Sequence, residues 1–320
     1  MKKLEFTSNY KRLNLTEEIP HIPVLFDETI DAFKDCNDGY IIDCTLGYGG
    51  HSLGLLEKYP NIKLICNDQD DTALEFSKKR LSKYKDRIIF NKGNFQTVVE
   101  KFKDENIVGI LADIGVSSLQ LDQSNRGFGF ESDVLDMRMD QDQSLSAIDV
   151  VNNYDQNRLE YIFKEYGEVR EYKKAASLVI QKRPFTSAKD LAHMFSKNLF
   201  KSKLHPATLP FQAIRIEVNN ELGVLEDLFK SIENANLNNC TVAIISFHSL
   251  EDRIVKNNFK QWTKKCICPS GIFRCECGNN HQKGKLITRK PIIPTKQEIK
   301  INARSRSSKL RIFKFEENKY

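Results

Sequence analysis

Four short apolar runs, Tyr40–Ile42, Lys63–Asn67, Arg87–Asn91 and Val108–Ala112, follow one another along the first third of the chain. Helix-compatible stretches, His51–Lys58 and Thr72–Tyr84, separate the first three, the second with Leu74, Ser77, Lys78 and Leu81 at helical spacing. Strands divided by about ten to fifteen helical residues imply right-handed βαβ units and a parallel sheet. A fifth run, Thr241–Phe247, brings the sheet back much later in the chain. The fold class is therefore α/β. Sheets of this kind bind ligands beyond the carboxyl ends of their strands, where the strand order reverses, so function is sought just after each strand.

Between the two parts of the sheet the pattern is helical. Asp155 opens a helix with Leu159, Ile162, Phe163 and Tyr166 on one face, closed by Gly167. A second, carrying Ala175, Ala176, Val179 and Ile180, must stop before Pro184. Ser187 to Asp190 reads as a capping box opening a third, with Leu191, Met194 and Phe195 inward. Phe211, Ile214, Val218, Leu222, Leu225 and Phe229 mark a long helix bent at Gly223. The expected architecture is a sheet domain in two pieces, residues 1–130 and 216–320, with a helical, substrate-recognising insertion at residues 131–215.

With 320 residues, 40% hydrophobic and 29% charged, the chain can bury a sizeable core and is neither disordered nor collagen-like. Its longest apolar run, around Val242–Phe247, is far short of the roughly 18–20 residues a membrane-spanning helix needs. Met1–Asn14 has lysines without an apolar block behind them, so no secretory signal is expected. Eight cysteines in so long a chain read as reduced thiols of a cytoplasmic protein. Charge is uneven: Lys256 to Tyr320 holds 17 Lys and Arg against 4 Asp and Glu, which favours a polyanionic partner, nucleic acid first.

The strand ends carry the chemistry. Asp43-Cys44-Thr45-Leu46-Gly47-Tyr48-Gly49-Gly50-His51 follows the first strand and enters a helix, where glycines permit a tight turn and close backbone approach to a ligand. No Lys-Ser/Thr pair follows it, which argues against phosphate cradling and ATP chemistry. Asp68 ends the second strand, placed to accept from ribose hydroxyls. Turn and acid together suit NAD, FAD or S-adenosylmethionine. Asn94-Phe95 follows the third strand, Phe95 being either an adenine platform or a core side chain. Asp113-Ile114-Gly115-Val116-Ser117-Ser118 follows the fourth, putting a carboxylate and small hydroxyls beside the reactive end of a cofactor.

Seven longer motifs sharpen this reading: His21–Leu25, Asp43–Ser52, Asp113–Asp122, Arg126–Phe128, Leu135–Asp140, Phe211–Ile216 and Ile245–Arg253. In this order, over about His21 to Arg311, they resemble the ribosomal RNA small subunit methyltransferase H (RsmH, formerly MraW) family. The resemblance implies a Rossmann-like S-adenosylmethionine-dependent methyltransferase sheet with an inserted helical domain. It implies N4-methylation of a cytidine in the decoding region of 16S rRNA, with the 30S subunit as partner and no membrane. It assigns Gly49, Gly50 and His51 to cofactor contact and Asp68 to the ribose, with Phe95, Asp113 and Gln120 completing the set. It leaves the oligomeric state open, a dimer included.

Methyl transfer from a sulfonium is an in-line displacement, so the catalyst mainly holds the acceptor on the S–CH3 axis. A cytosine N4 lone pair is delocalised into the ring, and acceptors gripping its hydrogens can free it. Asp113, Ser117 and the Gly115–Ser118 backbone are the candidates. Methylation at C5 would need a thiolate nucleophile, and neither Asp113–Leu121 nor Ser246–Arg253 contains a cysteine. In Ser246–Arg253, Phe247 or His248 can stack on a flipped base and Arg253 can hold a phosphate, or the segment simply starts a helix. A DNA amino-methyltransferase and a ribosome-assembly factor that binds cofactor without turnover are the rival readings.

Glu171–Arg215 has nine Lys and Arg against two acids, with Phe185, Phe195 and Phe200 among them, and is expected to line an RNA cleft with the basic tail. Arg304–Arg311 is read as a last sheet strand with its loop. Cys266-Ile267-Cys268 and Cys275-Glu276-Cys277 can place four thiolates on one side of a hairpin, a zinc option. Cys-x-Cys is tighter than the usual zinc spacing and the resemblance supplies no metal, so reduced, unliganded thiols are the expectation there. Cys36, Cys44, Cys66 and Cys240 read as small apolar fillers.

Overall fold

A computed structural model describes residues 22–116, 120–121, 123–201, 203–269, 271 and 274–317. Its seven strands are β1 Gly39–Asp43, β2 Ile62–Asp68, β3 Ile88–Lys92, β4 Ile107–Asp113, β5 Thr241–Ser246, β6 Gly284–Leu286 and β7 Lys309–Phe315. They form one sheet in the order β3-β2-β1-β4-β5-β7-β6. The neighbours from β3 to β5 are parallel, while β7 runs antiparallel to β5 and β6. The five expected strands are all present, with ends moved by about a residue. The tail differs in detail: Ala303–Ser307 is a 3-10 turn and the strand itself starts at Lys309.

Alternation of side chains sorts the apolar runs into two layers. Ile42, Ile110, Val242 and Ile244 join one buried cluster, while Ile41, Leu111, Ala243 and Ile245 join another on the opposite face. Both faces are covered, which is why these strands are continuous apolar runs and not alternating ones. β7 continues the rule, with Phe313 and Phe315 in the first cluster and Leu310 and Ile312 in the second.

The chain divides into two compact units, the sheet unit up to Gly115 and from Val224 on, and a second unit, Val116–Gly223. The second begins before residue 131 and ends after residue 215. Phe128, the buried Leu135 and Met137, and Val218 explain this, since all lie in that unit's own core. Arg126 is buried with its Nη2 donating to Arg138 O at 3.1 Å and Met139 O at 3.0 Å. Gly127 sits at φ 76°, where a Cβ would stand 2.4 Å from Asp136 N. Two of the long motifs thus form one another's scaffold.

Among the described residues of this unit the regular elements are helical: Ala147–Asn153, Gln156–Glu165, Tyr172–Lys182, Ala188–Asn198 and Thr208–Asn219. Asp155 caps the second, accepting from Arg158 N, and Ser187 caps the fourth, accepting from Asp190 N. The expected long helix over Phe211–Phe229 is two helices, because Asn220 takes the left-handed conformation (φ 48°) and ends the first. Helix Glu221–Asn234 follows at once. Gly223 marks the place without being the bend: a Cβ there would come within 2.5 Å of the Asn220 side chain. Phe185 and Phe195 are buried in the core, while Phe200 is 67% exposed.

Candidate active site at the carboxyl ends of the strands

Strand order reverses between β1 and β4, so the crevice that this topology opens lies past Asp43 and Asp113. β1 runs into the glycine turn, where Gly47 (φ 50°) and Gly49 (φ 69°) are left-handed. A Cβ on Gly47 would meet nothing within 4 Å, whereas one on Gly50 would lie 2.3 Å from Pro23 Cγ. Gly50 is therefore required by packing, and it starts helix Gly50–Lys58. The His21–Leu25 motif, of which His21 lies outside the described residues, packs here: Val24 O is 3.0 Å from His51 Nε2, and Leu25 N donates to buried Glu298.

The expected residues of the sheet unit gather at this edge. Asp68 accepts from Gly47 N at 2.8 Å and Asp70 N at 2.9 Å, so it shapes the turn while keeping acceptor capacity. Phe95 opens a short 3-10 turn and is partly buried against the core. His51 is buried, with Nδ1 3.8 Å from Asp113 Oδ2. Gln120 is buried in the second unit, and Ser117 lies outside the described residues.

Asp113 is the electrostatic centre. Its side chain is 23% exposed, yet Oδ1 is buried and has no hydrogen-bond partner among the described residues. Desolvation first, then repulsion from Asp43 and Glu251, pushes its carboxyl up to about 8. Asp43 was not anticipated: it is buried, accepts from Ser52 Oγ at 2.6 Å and Thr45 N at 3.2 Å, and burial raises it to about 6. Thr45 Oγ1 in turn accepts from Asp113 N at 2.7 Å, tying the two strand ends together. Each stands at or beside a strand end, the signal that had singled out Asp68.

After β5 the backbone turns into helix Ser249–Trp262 with His248 as N-cap. Glu251, fully buried, accepts from Phe247 N at 2.8 Å and His248 N at 3.2 Å, and its Oε1 is 3.1 Å from His248 Nε2. His248 therefore has a helix-start role, whatever else it does. A groove of about 380 Å³ opens beside it, lined by Phe247, Ile293, Pro294, Arg306 and Lys309 among others.

A profile of the MraW methylase family matches residues 18–316. The chain belongs to that family. A relative from Aliarcobacter butzleri (strain RM4018), named ribosomal RNA small subunit methyltransferase H, is 70% identical over 93% of this chain and 100% of its own length. Relatives with the same name from Wolinella succinogenes and Nautilia profundicola are 53% and 55% identical over 93% of this chain, covering 99% and 98% of theirs.

In this MraW-family methylase no core cysteine is poised for attack. Cys36, Cys44, Cys66 and Cys240 are buried, and desolvation raises each thiol. Carboxyls held above their ordinary range bind protons in the folded chain that the unfolded chain has lost, so they lower stability as pH rises from about 4 towards 8. The thermal midpoint of the methylase without cofactor is expected to fall between pH 5 and pH 8, and less steeply in Asp113→Asn. Parallel slopes for the two proteins would show that Asp113 titrates normally.

Proposed function

We propose that this chain transfers a methyl group from S-adenosylmethionine to the N4 amine of a cytidine in the decoding region of 16S rRNA, acting on the small ribosomal subunit. The observation that carries the chemistry is Asp113, a raised carboxyl with one buried oxygen that has no hydrogen-bond partner among the described residues, at the end of β4 beside the glycine turn. The names of the relatives support the substrate class.

The residues suit this cofactor. Asp68 offers acceptors for ribose hydroxyls, Gly47 leaves room for close approach, Phe95 offers a ring face, and Asp113 offers the charge that a sulfonium would neutralise. When bound, the cofactor supplies an electrophilic methyl group. Asp113, as a carboxylate, accepts a hydrogen bond from the cytosine amine and draws the nitrogen lone pair out of conjugation. It then takes the proton that the methylated nitrogen must lose, a task suited to a group that titrates near neutral pH. The groove at Phe247 and Arg306 supplies an apolar face and a cation for the neighbouring RNA. In the second unit Lys173, Lys182, Lys189, Lys197, Lys201 and Lys203 are exposed, whereas Arg183 bonds Val151 O and Tyr154 O and Arg215 pairs with Glu221. Lysines, more than arginines, are thus left for phosphates.

Labelled cofactor incubated with 30S particles, free 16S rRNA or DNA, followed by nucleoside mass analysis, tests the reading. Label in N4-methylated cytidine from 30S particles is expected. Label in DNA alone, in a C5-methylated base, or in nothing despite cofactor binding would replace it with another activity.

A further inference from the structure

Between helix Ser249–Trp262 and β6 the chain passes through residues 263–283 with no regular secondary structure and no buried side chain among those described. A segment of this length in a compact domain has to be held by something other than a core. Backbone bonds close its base: Lys283 N donates to Trp262 O at 2.8 Å and His281 N to Lys265 O at 3.0 Å. Beyond that base the chain is drawn together at sulfur. The Sγ atoms of Cys266, Cys268, Cys275 and Cys277 all lie within 4.8 Å of one another.

Cys275 Sγ is 3.6 Å from Cys266 Sγ and 3.5 Å from Cys277 Sγ, and Cys277 Sγ is 3.7 Å from Cys266 Sγ. A disulfide would need about 2.05 Å. Four sulfurs at about 2.3 Å from a zinc ion stand about 3.8 Å apart along each tetrahedral edge, close to what is found. Backbone amides point at the sulfurs, Ile267 N to Cys277 Sγ and Glu276 N to Cys268 Sγ, both at 3.4 Å, which orients and stabilises thiolate ligands. Gly278 (φ 81°) and Asn279 (φ 55°) turn the chain back behind Cys277. Lys264, Lys265 and Arg274 are nearby in sequence to offset the negative charge of a tetrathiolate.

We propose that Cys266, Cys268, Cys275 and Cys277 bind one Zn2+ as a tetrathiolate, and that this ion, not apolar packing, gives residues 263–283 their fold. Four S–Zn bonds form, the thiol protons pass to solvent, and nothing is oxidised or reduced. The tight Cys-x-Cys spacing is no obstacle, because the two pairs face each other across a loop.

Protein purified under reducing conditions is expected to carry about one zinc per chain, and the Cys268→Ser, Cys275→Ser double variant less than about a tenth of that. Cobalt in place of zinc should give the charge-transfer and d–d bands of a tetrahedral tetrathiolate. Chelation should expose four further thiols to a thiol reagent, the buried Cys36, Cys44, Cys66 and Cys240 staying protected, and should open tryptic cuts after Lys264, Lys265 and Arg274. These readouts on the unmutated chain stand even if the double variant fails to fold. Zinc below about a tenth of an equivalent after metal supply, or equal thiol reactivity with and without chelator, overturns the proposal. So does finding the four sulfurs in two disulfides under the same reducing conditions.

Discussion

Asp113→Asn is expected to slow methyl transfer to 30S particles by about 10²–10³-fold while changing cofactor affinity by less than about tenfold. Asparagine preserves the shape and one acceptor oxygen, so the bond network of Asp113 N with Thr45 Oγ1 and of Ile114 N with Ile245 O should survive. It cannot take a proton, and its amide hydrogens would face those of the cytosine amine. The loss should therefore fall on the chemical step, read as a single-turnover rate, with calorimetry reporting binding separately. The rate of the unmutated protein should also rise with pH towards about 8, and the variant's residual rate should lose that dependence. Full transfer with normal cofactor binding would remove Asp113 from the chemistry.

Asp252→Ala is expected to destabilise the fold by about 3 kcal/mol, because it strands buried positive charge. Asp252 accepts from Arg311 Nε at 2.7 Å and Nη2 at 3.3 Å, and from Lys309 Nζ at 3.2 Å. Arg311 is 7% exposed, so its guanidinium would be left without its carboxylate in a place that water reaches poorly. These contacts tie helix Ser249–Trp262 to β7. The paired cations hold the Asp252 carboxyl below its usual range, so its contribution is present above about pH 4 and is lost as pH falls through the lowered value. Denaturant melts at pH 7 and in acid check both parts: the difference between variant and parent should shrink in acid. An equal difference at both would mean that packing, not charge, is what was lost.

Much of the site could be read locally. The glycine turn, Asp68 and Asp113 each follow an apolar run, and a parallel strand delivers whatever follows it to the same edge of the sheet. The N-caps Asp155 and Ser187 were legible for the same reason, since a cap acts within one turn of its own helix. Asp43 was in plain view within the turn motif, but its role depends on Ser52 and on burial under neighbouring strands. For Ser246–Arg253 the sequence offers base stacking by Phe247 or His248 or a plain helix start, and the structure shows the helix start, with His248 capping Ser249–Trp262 beside Glu251.

Pattern along the chain determined which segments became strands and helices and which residues stand at strand ends, because those follow from side-chain alternation and short-range capping. Three-dimensional packing decided the rest. It broke the helix at Asn220, drew the limits of the second unit around its own core, and buried one oxygen of Asp113 between like charges. It also brought four sulfurs from two Cys-x-Cys pairs into one cluster. Desolvation of Asp113 is set by atoms far apart in sequence, and the sulfur cluster by a loop that folds Cys277 back onto Cys266, so both exist only once the chain has closed on itself.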